Sequence, residues 1–231
     1  MAPKILVILT SHGKLGDTGK PTGWFLPEFA HPYDEFKSAG FDVVVASPAG
    51  GNAPLDPASI EMFKEDASSV KFLNNDKSIW EKTQKLESFV GRSDEFDAVF
   101  VPGGHGPMFD LAVDPVSQKI IAEFASKGKV VSAVCHGPAA FVNIKLPNGE
   151  HLLQGKEVTG FSNAEEDIMK LSQAMPFMLE DKLNDASGGK FVKADEPWGE
   201  KVVVAGKVIT GQNPASAKAV GEAIVKAVQG A

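Results

Sequence analysis

Short apolar runs rich in β-branched residues recur along the chain at Ile5–Leu9, Val43–Ala46, Ala98–Val101, Val130–Val134, Val158–Gly160, Val202–Val204 and Val208–Thr210. Each has the length of a strand buried on both faces, and most are separated by stretches that read as helix or loop. Phe25–Ala39, Pro115–Lys127, Ala164–Met175 and Ala215–Val228 carry apolar residues at helical spacing, and Gly40 and Gly128 stand where helix C-caps belong. This alternation places the chain in the α/β class, as a doubly wound, mostly parallel sheet sandwiched between helices. The last two runs read as a hairpin turning at Ala205-Gly206. Ligands of such sheets bind beyond the carboxyl ends of the strands, so the chemically important residues are expected in the loops there.

Two stretches fall outside the plain sandwich, the Gly- and Pro-rich residues 11–24 and the polar residues 47–92 with a helical patch near Ile79–Phe89, and both read as a lid over the site. No internal repeat, low-complexity tract or Pro/Ser linker divides the 231 residues, which read as one domain over 1–231. With 23 basic against 30 acidic residues and a net charge of -7, the chain has no electrostatic footprint for nucleic acid or an anionic membrane. No stretch approaches the roughly 18 apolar residues of a membrane span, and the run Ile5–Leu9 is too short for a signal-peptide core, so the expected location is the cytoplasm. A single cysteine, Cys135, excludes an internal disulfide and a thiolate-based zinc site.

In Val130-Val-Ser-Ala-Val134-Cys135-His136-Gly137-Pro138 a buried-type strand runs into that cysteine, a histidine, and Gly-Pro opening a helix. This is the layout of a nucleophile elbow: the tight turn projects one side chain from the sheet, and a helix N-terminus beneath it favours thiolate over thiol. A free cysteine is ordinarily a small buried hydrophobe. Cys135 follows its strand instead of sitting within it, which marks it as a nucleophile. His136 would serve as general base or orienting group. An adjacent residue does not fold back easily onto its neighbour's sulfur, so its ring is expected to point toward another partner, while its backbone N–H stands where an oxyanion-hole donor belongs.

Val101-Pro102-Gly103-Gly104-His105-Gly106-Pro107 also follows a strand. Its spacing does not meet the G-x-G-x-x-G of a dinucleotide loop. A second oxyanion-hole amide from Gly103 or Gly104 fits better, with His105 beside them as a substrate-binding candidate. Thiolate chemistry that shuttles protons also calls for a carboxylate whose pKa moves toward neutrality. Glu28, in Phe25-Leu26-Pro27-Glu28-Phe29-Ala30-His31-Pro32, is an acid in the apolar opening of a helix, where desolvation favours its protonated form; an acid near a helix N-terminus also has a purely structural reading. Glu166 lies in Ala164-Glu165-Glu166-Asp167, and three successive acids at a helix start ordinarily face solvent.

Together, Ala133-Val134-Cys135-His136-Gly137-Pro138, Pro102-Gly103-Gly104-His105-Gly106, Glu28-Phe29-Ala30-His31-Pro32 and Thr210-Gly211-Gln212-Asn213-Pro214-Ala215-Ser216 resemble the ThiJ/PfpI superfamily, nearest its glutathione-independent glyoxalase branch. The resemblance implies a flavodoxin-like sandwich, usually a homodimer, with Cys135 as nucleophile, His136 and Glu166 completing a triad, and Glu28 hydrogen-bonded to the sulfur. Counting from Gly160-Phe161 selects Glu166 among the three acids. The resemblance further implies chemistry without metal or dissociable cofactor. The thiolate adds to the aldehyde of methylglyoxal or a similar 2-oxoaldehyde, a proton moves between adjacent carbons, and water releases lactate. Backbone amides would stabilise the alkoxide, and either Glu28 or His136 would be the base. Three other readings use the same residues: a cysteine peptidase or amidase, a protein deglycase, and a stress holdase or redox sensor in which Cys135 is oxidised.

Overall fold

The computed structural model describes residues 2–230 and contains a seven-stranded sheet. Its strands are β1 (Lys4–Ile8), β2 (Asp42–Ser47), β3 (Gln84–Lys85), β4 (Ala98–Val101), β5 (Val130–Val134), β6 (Val202–Ala205) and β7 (Val208–Gly211), side by side in the order β3-β2-β1-β4-β5-β7-β6. Neighbours run parallel except β6 and β7, the expected hairpin, whose turn places Gly206 at φ +66°. Strands β4 and β5 are buried along their whole length, which is why they read as unbroken apolar runs: helices cover both faces and leave no solvent side to alternate toward.

Helix α1 (Leu26–Ser38) packs on α8 (Ala217–Gln229), which in turn lies along β5 and β7; α5 (Pro115–Ser126) covers β4 and β5 from the opposite face. The start of α5 is fixed locally, with Pro115 in its first turn and the Asp114 carboxylate accepting the Val116 and Ser117 N–H groups. Fully buried Phe36 of α1 stands edge-on to Phe100 of β4 at 5.9 Å, and truncating either ring to alanine would cost about 3–5 kcal/mol. Strand order reverses around β1, which has β2 on one side and β4 on the other. The crevice created there lies beyond the ends of β1, β4 and β5.

Several segments depart from the sequence reading. Val158–Gly160 forms no strand, because β7 already occupies the place beside β5. The segment instead crosses the strand ends, where the Thr159 N–H donates to Thr210 Oγ1 at 3.0 Å. The helix expected over Ala164–Met175 ends at Met169, with Lys170 in the left-handed region at φ +58°. The patch near Ile79–Phe89 resolves into a four-residue helix (Ser78–Glu81), strand β3 and a 3-10 turn (Leu86–Phe89).

Nor are residues 11–24 and 47–92 simply a lid. Helices α2 (Pro57–Met62) and α3 (Ala67–Asn75) and the Ser78–Glu81 turn, α4, flank the sheet edge; Phe72 and Trp80 stand edge-on to Trp24 at 6.2 and 5.6 Å in a buried aromatic cluster. Of these two stretches only Met62 and Phe63 reach the site. Two more helices, α6 (Asn163–Met169) and α7 (Leu179–Ser187), follow β5. The second was not expected because Leu179 and Leu183 are its only large buried apolar residues.

Candidate active site

At the end of β5 the backbone turns sharply at Cys135, which holds φ +61°, a left-handed conformation costing a non-glycine residue on the order of 1–3 kcal/mol. Its neighbours hold it there. The Cys135 N–H donates to the Gly211 carbonyl and its carbonyl accepts the Phe161 N–H, both at 2.9 Å. Gly137 makes the turn possible, since a Cβ there would lie 2.2 Å from the Val101 carbonyl oxygen. The chain continues as a 3-10 turn, Gly137–Phe141, rather than as an α-helix. The helix N-terminus expected to favour the thiolate is therefore reduced to one short 3-10 turn. Burial, at 4% exposure, pushes the thiol pKa well above its ordinary value, and the neighbouring Glu28 carboxyl adds to the rise. A base must take this proton.

His136 stands within reach of it. The ring does face another partner, Glu166, but it also folds back on its neighbour, with Nδ1 3.4 Å from the Cys135 sulfur. Its Nε2 lies 2.6 Å from Glu166 Oε2, and the other Glu166 oxygen faces His105 Nε2 at 2.8 Å. Burial pushes the Glu166 carboxyl up, but the two imidazoles, His136 foremost, outweigh it and hold it far below the usual carboxylate range. An ionised carboxylate only accepts hydrogen bonds. Both Nε2 atoms therefore carry the proton, which leaves the Nδ1 lone pair of His136 toward the thiol. Burial and the adjacent His105 lower the pKa of His136, keeping it neutral and basic at pH 7. Phe161 packs on the ring, centroid to centroid 4.3 Å.

Glu28 comes from the first turn of α1 and is wholly buried. Desolvation raises its pKa to about 8, against the smaller lowering effects of the Cys135 thiol and the Gly103 and Gly104 amides. Neither carboxyl oxygen has a well-aligned hydrogen-bond partner among the described residues, so the Glu28–sulfur relationship is a close approach of two protonated groups rather than an aligned bond. Gly104 holds φ +86°, and a Cβ there would lie 2.2 Å from the Gly23 carbonyl oxygen. Gly104 and His105 line the site cavity; Gly103 sits behind them, where a Cβ would lie 2.5 Å from Glu28 Oε2.

Of the three successive acids only Asp167 faces solvent. Successive helical residues point about 100° apart, so two neighbours take different partners. Glu165 closes a capping box with Ser162 and also accepts the Trp198 N–H at 2.9 Å, Gln212 Nε2 at 3.1 Å and Asn213 Nδ2 at 2.8 Å. Glu166 turns to the imidazoles.

The DJ-1/PfpI family model matches residues 26–227, a span that includes Glu28, Cys135, His136 and Glu166. The chain belongs to the DJ-1/PfpI family. Among its curated relatives, this DJ-1/PfpI chain is 33% identical to Glyoxalase 3 of Candida albicans over 98% of each chain. It is 31% identical to the glutathione-independent glyoxalase HSP31 of Saccharomyces cerevisiae over 94% of each. Among solved structures it resembles the Rapid Encystment Protein 24 KDa of Francisella tularensis, with TM-score 0.91, 37% identity, and 98% of this chain and 99% of that one covered. It also resembles glyoxalase III of Candida albicans, with TM-score 0.81, 30% identity and 97% of each chain covered.

In this DJ-1/PfpI protein the sulfur opens on a cavity of about 320 Å³. Cys135, Glu28, His136 and His105 lie against one another in its wall, and apart from His31 the other lining side chains are apolar, among them Phe25, Phe63, Met62, Phe161, Met169 and Trp198. Sequence reasoning did not single out these wall residues. Phe161 alone carried a signal, adjoining the Gly160 from which Glu166 was counted. Trp198 holds φ +65°, which nothing in Pro197-Trp198-Gly199 reveals. Among the described residues, one group could offer a metal ion three converging ligand atoms, His105, His136 and Glu166, with those atoms within 4.8 Å of one another. A cation there would have to displace both imidazole–carboxylate hydrogen bonds.

Proposed function

We propose that this protein is a glutathione-independent glyoxalase, converting methylglyoxal and similar 2-oxoaldehydes to 2-hydroxy acids through a hemithioacetal on Cys135. One observation carries the reading: the hydrogen-bonded series Cys135–His136–Glu166 meets, at the same sulfur, a carboxyl group whose pKa of about 8 suits proton transfer near neutrality. Its full-length similarity to relatives named glyoxalases supports it.

In this mechanism His136 Nδ1 takes the thiol proton, and Glu166 stabilises the imidazolium that results. The thiolate attacks the aldehyde carbon while the Glu28 carboxyl protonates the developing alkoxide, with the Gly104 amide beside it. Glu28, now a carboxylate, removes the proton from that carbon, and the imidazolium protonates the ketone oxygen, giving an enediol. Glu28 returns its proton to the second carbon as His136 takes the proton from the first hydroxyl, leaving a thioester. Water, deprotonated by Glu28, cleaves the thioester; the departing thiolate recovers its proton from His136. The aldehyde carbon is oxidised and the ketone carbon reduced, so no external electron carrier enters.

A single domain acting as a homodimer in the cytoplasm completes the proposal. Among the described residues no helix is long and apolar enough to cross a membrane. The test is incubation of purified protein with methylglyoxal, free of glutathione and with chelator present, while lactate is followed. Turnover that disappears in Cys135→Ala is expected; absence of lactate from folded wild-type protein rejects the reading.

A further inference from the structure

We infer that the site prefers neutral 2-oxoaldehydes carrying a bulky apolar substituent, aryl or branched alkyl, over methylglyoxal. The inference rests on the glyoxalase reading and specifies its substrate class.

Three features of the cavity carry it. The first is size. At about 320 Å³ it lies at the lower end of the roughly 300–1,000 Å³ that hold drug-sized ligands. A three-carbon oxoaldehyde displaces only a few water volumes of ~30 Å³ each. The second is the polarity of the lining. The reactive groups Cys135, Glu28 and His136 lie against one another, no lysine or arginine lines any part of the cavity, and His31, the one polar side chain away from them, is already paired with the Asp66 carboxylate at 2.9 Å. A carboxylate or phosphate on the substrate would be desolvated with no lysine or arginine to pair it, whereas an apolar group extending from the ketone carbon would meet mostly apolar walls.

The third feature is the mouth. Six large apolar side chains are exposed among the described residues, and three of them, Met62, Met169 and Trp198, belong to this one cavity. Trp198 is held in a left-handed backbone conformation, its N–H bound by the buried Glu165 carboxylate, and its indole stands edge-on to Phe161 at 5.5 Å. Phe25 and Phe63 form a second edge-on pair at 5.9 Å. An aromatic ring held half in water in the wall of this cavity by a strained backbone loses that exposure once a substrate ring covers it.

The chemistry is unchanged: phenylglyoxal and water give mandelate, the aldehyde carbon oxidised and the ketone carbon reduced, with the protons carried as before. The experiment compares kcat/KM for phenylglyoxal and methylglyoxal in the wild type, Met62→Ser and Trp198→Asn, asparagine being chosen because it tolerates the left-handed backbone. The wild type is expected to favour phenylglyoxal about tenfold or more, largely through KM, the size of discrimination an apolar pocket supplies. Each variant is expected to lower that ratio about fivefold. Equal or greater efficiency with methylglyoxal, or a ratio that neither variant moves, overturns the inference while leaving the glyoxalase reading in place. Folded wild-type protein that turns over neither compound removes the glyoxalase reading itself.

Discussion

The sulfur of Cys135 lies 3.4 Å from Nδ1 of the next residue in the chain, His136. Extended backbone sends successive side chains to opposite faces, so this contact exists only because Cys135 adopts φ +61°. The same turn aims Nε2 of the ring at Glu166, 30 residues onward and 2.6 Å away. A thiol, an imidazole and a carboxylate that orients the imidazole are thereby assembled from one strand end and one short helix.

Replacing Cys135 by alanine removes the proposed nucleophile and little else. Lactate formation from methylglyoxal should fall by about a thousandfold or more, while the urea midpoint should move by less than the equivalent of ~1 kcal/mol. A collapse of stability of ~3 kcal/mol would identify the thiol as a structural group instead.

Activity should follow a bell in pH. His136 must be neutral to accept the thiol proton, and burial lowers its pKa, so the acid limb of kcat/KM belongs below the ordinary histidine value of 6.5. Glu28 must begin protonated, which places the alkaline limb near pH 8. Glu28→Gln should lose nearly all turnover. An alkaline limb that survives unchanged in residual Glu28→Gln activity would assign it to another group.

Glu28 should also make stability depend on pH. Its pKa is 4.5 unfolded and about 8 folded, so the folded state holds this proton more tightly. The associated stabilisation is complete below pH 4.5 and is lost as pH rises through about 8, a difference on the order of 5 kcal/mol. Melting temperatures of the wild type should therefore fall between pH 5 and 9 relative to Glu28→Gln. Parallel curves for the two proteins would contradict the raised pKa.

For Glu166 the sign is opposite. Its folded pKa is depressed by the two imidazoles, so its contribution is present above the ordinary carboxylate value of 4.5 and disappears as pH falls through the folded value. Glu166→Gln should flatten that acid loss in thermal melts. It should also reduce kcat by about a hundredfold or more, because a neutral amide no longer enforces the His136 tautomer that bares Nδ1. Near-normal kcat in this variant would remove Glu166 from the mechanism.

Gly104→Ala places a Cβ 2.2 Å from the Gly23 carbonyl oxygen at a backbone φ of +86°. Because the obstacle is backbone, the cost should be at least ~3 kcal/mol, measured by urea unfolding. Alanine at the surface turn Gly51, where nothing lies within 4 Å of the added carbon, provides the comparison for φ alone.

What could be read from the chain alone is what depends on near neighbours. Strands β4 and β5 announce themselves because burial on both faces demands continuous apolar residues. Cys135 stands out because a strand followed by His-Gly-Pro has one local geometry, and the buried character of Glu28 comes from the Phe25–Phe29 run around it. The tertiary structure decided what depends on competition and on distant partners. Val158–Gly160 is as apolar as a strand, yet β7 holds the place beside β5. Glu165 and Glu166 are chemically identical in sequence; one is claimed by Trp198 and Gln212, 33 and 47 residues away, and the other by His105, 61 residues back. A side chain's burial and its hydrogen-bond partner are set by whichever surfaces the fold brings against it, and no local pattern encodes those surfaces.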